Sequence, residues 1–279
     1  MEYLKFSADR TLSCLNQQWC TLFPYTYLRF FDSTGKGAGD WTKLHGSIRK
    51  KGDSIVLPVF ETMKVKTFEE LYEAAFDARI EVCYGLNKAL YQTNDEQNQK
   101  TLSEMNYWAM ENGADKFMEK HPYWFYNNCL IDGHIYEIFP EHDPKLRIDV
   151  QWGKPFNGAK LWLYENDNSS TNKAQLFQAM ENTDGTSTFL SLLNKEFAID
   201  MSHITSHPCH MWTYNSNNRN QKFILKKSTK GGFYLHCLKD QNFVWDVEGS
   251  RGHESNLINF KFHGNDNQIF HFKPLLKEL

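Results

Sequence analysis

The feature that most constrains this chain is a phrase that occurs three times along its second half. In each copy an apolar strand carries one aspartate, a loop and an aromatic strand follow, and a Gln-x-Phe phrase closes the copy. The aspartates are Asp149, Asp200 and Asp246, and the glutamines are Gln175, Gln221 and Gln268. Successive aspartates lie 51 and 46 residues apart, and successive glutamines 46 and 47. Since one copy of about 47 residues cannot bury its own apolar face, the copies are predicted to share one core.

Residues 130–279 are predicted to be all-β. Apolar and aromatic strand patterns recur roughly every 8 to 12 residues, with Gly, Asn and Asp between them, which is typical of sandwiches and barrels. Each copy holds about four such patterns, and its first strand is predicted at 134–139, 188–193 or 233–237. Three copies of this kind predict a barrel with three-fold symmetry.

Residues 1–110 alternate strand and helix patterns and predict a small α+β domain. The predicted strands are 3–6, 25–31, 55–59, 80–84 and 87–91, and the predicted helices are 9–20, 67–76 and 102–110. Thr67 and Glu70 have the spacing of a capping box, so the second helix is predicted to begin at Thr67. Residues 111–129 show no clear period and are predicted to be a linker, whose aromatic run 123–126 packs between the domains.

Charge and hydropathy exclude two classes of partner. The chain has 31 basic and 34 acidic residues and a net charge of −3, without the basic excess expected of a nucleic-acid-binding protein. No apolar run approaches the roughly 18 residues of a membrane-spanning helix. The six cysteines are scattered, form no Cys-x-x-Cys pair, and follow an N-terminus without a signal-peptide pattern. We therefore expect free thiols and a cytoplasmic location, with export by a signal-independent route left open.

With these repeats, residues 130–273 resemble the ricin-type β-trefoil lectins, the QxW family, with Gln-x-Phe in place of Gln-x-Trp in every copy. The resemblance implies carbohydrate binding without catalysis, to a galactose-type sugar or a polysaccharide. It implies that the aspartate of each copy accepts hydrogen bonds from two sugar hydroxyls and that an aromatic side chain of the third strand stacks on the sugar. It also implies that an Asn before the Gln donates to a hydroxyl, whereas the Gln is structural.

The three copies match this pattern unequally. The second copy has Asp200, Trp212 and Asn220, with His210 placed to donate to the same sugar. The third copy has Asp246, Phe260 and Asn267, and the first has Asp149 and Trp162. In the first copy Ala174 replaces the Asn, which removes one donor.

Two further resemblances concern the fold and the redox state. Many ricin-type domains carry a disulfide between the residue two before the aspartate and the residue two after the aromatic. No such pair here is Cys-Cys, in agreement with a reducing compartment. The phrases at 10–12, 23–25 and 63–67 resemble a small uncharacterised bacterial α/β domain, which implies a fold and no activity.

Two groups of residues resemble a metal site and a nucleophile site, and each has a simpler structural explanation. His207-Pro208-Cys209-His210 has zinc-ligand spacing, but no second ligand pair lies nearby, so we expect a turn and neither metal nor cofactor. Cys20, His45 and Asp40 could form a nucleophile site, but a cysteine on an apolar helix is usually a buried hydrophobe.

Two alternative functions remain open. A protein-binding or structural trefoil with inactive sugar pockets predicts that Trp212 is covered. An enzyme whose N-terminal domain acts on a glycan held by the trefoil predicts a pocket with perturbed carboxylates in that domain. The N-terminal domain is also a candidate surface for a protein partner.

Overall fold

The computed structural model describes residues 2–8, 10–38, 44–49, 55–87, 89–120, 130, 132–166, 171–201 and 204–275. Two compact units divide the chain, one holding the described residues up to 120 and the other those from 130 to 275. Within the described ranges, no helix combines the length and apolarity needed to cross a membrane. Strands predominate over helices in the molecule as a whole.

The first unit combines two small sheets with helices. Its elements are β1 (Glu2–Phe6), α1 (Leu12–Leu22), β2 (Tyr27–Phe30), β3 (Ile55–Val59), α2 (Val65–Phe76), β4 (Ile80–Leu86), β5 (Ala89–Gln92), α3 (Leu102–Glu111) and α4 (Phe117–Lys120). β1 pairs with β3, and β2, β4 and β5 form an antiparallel sheet in the order β2-β4-β5. The apolar faces of α1 and α2 meet in the core, where the rings of Trp19 and Phe68 lie 4.9 Å apart.

The predicted capping box of the second helix is wrong. Helix α2 begins two residues before Thr67, after Lys64, which makes no side-chain capping bond. A capping box occurs at α3 instead, where Thr101 Oγ1 accepts from the backbone of Glu104 and the Glu104 carboxylate accepts from the backbone of Thr101. Both sites share the Thr-x-x-Glu spacing, so the spacing alone does not locate a helix start.

Part of the predicted linker belongs to the first unit. Phe117 in α4 is buried and stacks on Tyr27 with ring centroids 4.2 Å apart. The backbone N–H of Phe117 donates to the carbonyl of Pro24 at 2.9 Å. Residues 111–120 therefore pack on the first unit, whereas the aromatic run 123–126 lies outside the described residues.

The second unit contains four strands in each repeat. The first repeat has β6 (Ile135–Pro140), β7 (Leu146–Val150), β8 (Ala159–Glu165) and β9 (Leu176–Glu181). The second has β10 (Ser187–Ser191), β11 (Phe197–Asp200), β12 (His210–Thr213) and β13 (Phe223–Lys227). The third has β14 (Phe233–Cys237), β15 (Phe243–Val247), β16 (Leu257–Lys261) and β17 (Phe270–Pro274).

The strand pairing of the second unit is that of a β-trefoil. The first and fourth strands of the repeats pair in a closed ring of six, β6-β9-β10-β13-β14-β17, and β17 pairs again with β6. The second and third strands form three hairpins, β7-β8, β11-β12 and β15-β16. The phenylalanines of the three Gln-x-Phe phrases are fully buried in the shared core: Phe177, Phe223 and Phe270. Each repeat thus contributes one aromatic ring to a core that no repeat could build alone.

The prediction that all thiols are free is wrong, because Cys14 on α1 is disulfide-bonded. The remaining described cysteines are buried free thiols: Cys20, Cys83, Cys209 and Cys237.

Candidate functional site

The three repeated aspartates occupy equivalent, buried positions in the hairpins. Asp149 lies opposite Trp162, Asp200 opposite His210, and Asp246 opposite Ile258 across the two strands of their hairpins. A buried carboxylate needs hydrogen-bond donors because ionisation in a poorly solvated site is costly. The hydrogen-bond donors around each aspartate therefore determine how the neighbouring side chains are arranged.

In the second repeat the structure brings the predicted residues together. Oδ2 of Asp200 accepts a hydrogen bond from Nδ2 of Asn218 at 2.7 Å, and Nε2 of His210 lies 3.7 Å from Oδ1. Burial raises the pKa of Asp200, although the His210 charge and hydrogen bonds from Asn218, Gln221 and Asn220 lower it. The carboxyl therefore sits inside a network of amide donors.

Trp212 forms an exposed wall beside this network. Its side chain is 43% exposed, and its ring meets that of His210 edge-on at 5.5 Å. It lines an open depression of about 560 Å³ together with Tyr214, Asn215, Ser216 and Asn218. Asn218 connects the depression to Asp200 and was not predicted, because it lies in a loop whose composition differs between the copies.

Two equivalent amide oxygens are buried without a partner among the described residues: Oδ1 of Asn220 and Oδ1 of Asn267. The orientation of the Asn267 amide is fixed, since its Nδ2 donates to Asp246 Oδ1 at 2.9 Å and to the carbonyl of Val247 at 3.2 Å. A buried acceptor without a donor costs about 1–3 kcal/mol. Both motif-complete repeats thus hold an acceptor that a ligand hydroxyl could satisfy.

The third repeat builds a similar network with a weaker wall. Oδ2 of Asp246 accepts from Nε2 of Gln268 at 2.8 Å and lies 3.2 Å from Nε2 of His263. Burial raises the pKa of Asp246, and the donors around it lower that pKa. Phe260 is only partly exposed and lies 5.9 Å from the ring of His263.

In the first repeat the tryptophan of the third strand lies directly opposite the aspartate, at the register position that His210 occupies in the second repeat. Nε1 of Trp162 donates to Oδ1 of Asp149 at 2.9 Å, and Trp162 is only 7% exposed. Trp152 packs on it with ring centroids 5.1 Å apart and is itself 73% exposed. Ala174 offers this carboxylate no amide. This repeat has two outward-facing aromatic side chains, Trp152 and Tyr164, and Tyr164, which is 39% exposed, holds the register position of Trp212. Neither of them was assigned to the site from the sequence.

The three glutamines tie loop to strand. Oε1 of Gln221 accepts from the backbone of Asn215 at 2.9 Å, and its Nε2 donates to the carbonyl of Thr213 at 3.0 Å. Gln268 makes the same two kinds of bond, to the backbone of His263 and Lys261, and Gln175 donates to the carbonyl of Glu165. These bonds hold the end of each third strand, which carries the aromatic wall.

The other clusters do not form reactive centres. Sγ of Cys20 donates to the carbonyl of Thr26 at 3.4 Å, whereas Nε2 of His45 lies 2.7 Å from the hydroxyl of Tyr72. Burial raises the pKa of the Cys20 thiol, which disfavours the nucleophilic thiolate. Asp40 lies outside the described residues. In the part of the chain that the structure describes, no group of three or more His, Cys, Asp or Glu side chains could hold a metal ion, and Cys209 is fully buried.

The first unit has a polar depression of about 580 Å³ between α2 and β4. Glu69 lines it, and burial raises the pKa of this carboxyl to about 7, although its bond from the backbone N–H of Val82 lowers that pKa. Glu81 also lines it but is buried and paired with Arg79. A carboxyl with a raised pKa therefore lies beside one that is paired with an arginine.

Comparisons with known proteins give matches among solved structures. No protein-family model matches the chain, and no curated protein does. Among solved structures, the designed three-fold symmetric protein ThreeFoil is 21% identical, with a TM-score of 0.46 over 50% of this chain and 99% of its own. The C-half of an earthworm R-type lectin in complex with GalNAc is 24% identical, with a TM-score of 0.42 over 51% and 99%.

A mosquitocidal holotoxin matches over a longer stretch. It is 10% identical, with a TM-score of 0.50, and the match covers 92% of this chain. The chain spans 32% of the length of that toxin. At 10% identity this likeness concerns the fold alone.

Proposed function

We propose that the trefoil unit is a ricin-type lectin domain that binds carbohydrate without catalysis, first through the second repeat and next through the third. The observation that carries the proposal is the unpartnered Oδ1 of Asn220 beside the buried carboxylate of Asp200, in the repeat whose third-strand Trp212 is exposed. An acceptor, a carboxylate and an aromatic face are the groups that a pyranose, with its hydroxyls and its apolar face, can satisfy together.

The binding mode follows from the hydrogen-bond donors and acceptors that each side chain leaves unused within the protein. The C–H face of the sugar stacks on Trp212, and one hydroxyl donates to Oδ1 of Asn220. A second hydroxyl donates to Asp200, because a carboxylate offers about four acceptor sites and His210 at 3.7 Å is too distant to fill one. Asn218 retains one N–H for a ligand oxygen, since only one of its two amide protons is used by Asp200.

The other repeats rank behind the second. The third has the same unpartnered amide oxygen, at Asn267, but Phe260 gives a smaller and less exposed wall. The first comes last, because Trp162 is buried and Asp149 already holds the indole N–H. Specificity for a galactose-type sugar or another sugar depends on the loops that follow the third strands.

The test is a glycan array with the full-length chain beside three variants. Asp200→Ala and Trp212→Ala should each lose the signal of the second repeat. Trp152→Ala is the matched control, because it removes an even more exposed tryptophan from outside the pocket and should keep the signal. Equal loss in Trp152→Ala would reveal non-specific adhesion to exposed indoles. An array without signal would favour a protein-binding trefoil, although that alternative also predicts a covered Trp212, and the side chain is 43% exposed.

A second candidate function, glycan cleavage in the first unit, is favoured by one observation. The pKa of Glu69, raised to about 7 by burial, would let this carboxyl donate a proton at neutral pH. The site is less complete than the sugar pocket because Glu81 is buried and paired with Arg79. Incubating array-positive glycans with the full chain and with Glu69→Gln tests it, and absence of any product with the unmodified chain removes this candidate.

The cytoplasmic location stays a prediction. The disulfide of Cys14 points the other way, since disulfides persist mainly in oxidising compartments.

A further inference from the structure

The third repeat carries a second depression that none of its motif residues lines. This depression has a volume of about 560 Å³, and its lining includes His236, Asn242, Phe262 and two lysines, Lys226 and Lys261. Asp246, Phe260 and Asn267 are absent from its lining. Its lining comes mainly from β13, β14 and the loop before β15 and includes none of residues 263–267, which follow the third strand as the lining of the Trp212 depression does. It is therefore a different place from the sugar pocket proposed above.

His236 is the unusual group at this depression. Its side chain is only 3% exposed, and Nδ1 lies 2.7 Å from the carbonyl of Gln241. Because a carbonyl can only accept, Nδ1 carries the proton and Nε2 is left with a lone pair. Nε2 has no hydrogen-bond partner among the described residues. Burial lowers the pKa of His236, as does the charge of Lys226, while the bond to Gln241 raises it, so the ring is neutral at neutral pH.

The other two repeats show that the barrel does not need an imidazole here. His236 precedes Asp246 by ten residues, and the residues at the same distance before Asp200 and Asp149 are Leu190 and Phe139. The register agrees, because His236 pairs with Val244 as Leu190 pairs with Ala198. Both equivalent side chains are apolar and buried. The lone pair of His236 is therefore a polar group that packing alone does not explain.

The walls of the depression supply an aromatic face and unpaired positive charge. Phe262 is 47% exposed, and its ring lies 5.1 Å from that of His236. The two lysines are exposed and have no ion-pair partner in the described ranges. Asp240 also lines the depression, but its Oδ1 already accepts two hydrogen bonds from Asn242.

We propose that this depression binds an acidic sugar, independently of the aspartate motif. The apolar face of the ring packs on Phe262, one hydroxyl donates to Nε2 of His236, and the carboxylate or sulfate group lies towards Lys226 and Lys261. A hydroxyl is the matching group for the histidine, because a neutral imidazole nitrogen with a lone pair can only accept.

The experiment observes the ring nitrogens of His236 directly. Full-length chain labelled with ¹⁵N-histidine is titrated with glucuronic acid and, as the matched neutral sugar, with glucose; N-acetylneuraminic acid and galactose-6-sulfate extend the acidic series. The expected result is a shift of the unprotonated Nε2 resonance with at least one acidic sugar and about a tenfold weaker response to the neutral one, as expected for loss of a charge-assisted contact.

Variants give a second measurement of the same site by calorimetry. His236→Leu installs the residue of the second repeat and should weaken acidic-sugar binding about fivefold, the effect of one hydrogen bond. Phe262→Ala should weaken it too, and Lys226→Ala should remove the preference for the acid, whereas Lys227→Ala on the opposite strand face is the control. Asp200→Ala should leave this binding unchanged, which separates the inference from the proposed lectin site. No Nε2 shift with any acidic sugar, or unaltered binding by His236→Leu and Phe262→Ala, overturns the proposal.

Discussion

The first and second repeats carry their tryptophans at different positions of the third strand and in opposite environments. Trp162 lies directly opposite Asp149, is 7% exposed and is bonded to that aspartate, whereas Trp212 lies opposite Ala198, two residues beyond the partner of Asp200, and is 43% exposed. The second repeat supplies Asp200 with asparagine amides, and the first has Ala174 where Asn220 stands. The comparison indicates that the register position of an aromatic residue relative to the aspartate decides whether its side chain meets the carboxylate or faces solvent.

Trp152 adds to the difference between the first and second repeats, because it packs on the buried tryptophan of the first. It covers Trp162 from a left-handed backbone conformation with φ of 63°, where the third repeat has Gly249 at φ 62°. A bulky residue in this region costs on the order of 1–3 kcal/mol, unlike glycine. The stack on Trp162 offsets part of that cost, so the first repeat is built as an aromatic cluster and the second as an open pocket.

The largest expected effect separates the two tryptophans by stability. Trp162→Ala should lower the free energy of unfolding by about 3–5 kcal/mol, because it empties a buried site and leaves Asp149 without its indole donor. Trp212→Ala should lower it by only about 1 kcal/mol, since that side chain is 43% exposed and leaves no buried donor or acceptor unpaired. Urea unfolding of both variants measures the difference, and equal destabilisation would contradict the contrast drawn here.

Gln221→Ala should lower both the free energy of unfolding and the affinity for sugar. The variant loses the bonds to Thr213 and Asn215, which hold the end of the strand that carries Trp212. We expect about 1–3 kcal/mol of lost stability and weaker sugar binding in the same protein. Gln175→Ala in the first repeat is the control, with a similar stability loss and unchanged binding. Binding unaffected by Gln221→Ala would show that the glutamine does not position the wall.

Trp152→Gly should change stability by less than about 1 kcal/mol, because relief of the left-handed backbone and loss of the stack oppose each other. The variant should nevertheless expose Trp162. Fluorescence quenching by iodide measures this exposure, and a chain quenched no more than the unmodified protein would mean that Trp152 does not cover Trp162.

The smallest effect concerns pH. Since burial raises the pKa of Asp200 above its ordinary value of 3.8, sugar binding by the second repeat should begin to fall at a pH above 3.8 as the carboxyl takes up a proton. A carboxyl with a raised pKa contributes stability below its ordinary pKa and loses it as the pH rises through the raised value. Acid should therefore weaken binding without unfolding the unit through this group. Binding and circular dichroism measured over the same pH series test both statements.

The sequence was sufficient for the repeat architecture. Four strands per copy follow from the alternation of apolar residues and turns, and the phenylalanines of the Gln-x-Phe phrases are the buried rings that this spacing requires. In the first unit the strands near residues 3, 27, 57 and 82 also agree with the predictions. The period of the apolar residues along the sequence indicates which side chains are buried. It therefore locates the strands and helices whose position is determined by burying an apolar face.

The details that decide the site were beyond the sequence. Asn218 and Trp152 lie in loops that differ between copies, so no spacing marks them. The burial of Trp162 depends on a hairpin register that places it directly opposite Asp149, and the place of the capping box depends on which of two identical spacings the backbone uses. Such choices are made by tertiary contacts rather than by local pattern.

The central claim is tested most directly by titrating the sugar selected on the glycan array into the full-length chain and into the double variant Asp200→Ala, Asp246→Ala. The account predicts measurable binding by the unmodified chain and none by the double variant, with unfolding curves that keep the same cooperative transition. Binding that survives both substitutions would contradict the assignment of the repeated aspartates to carbohydrate.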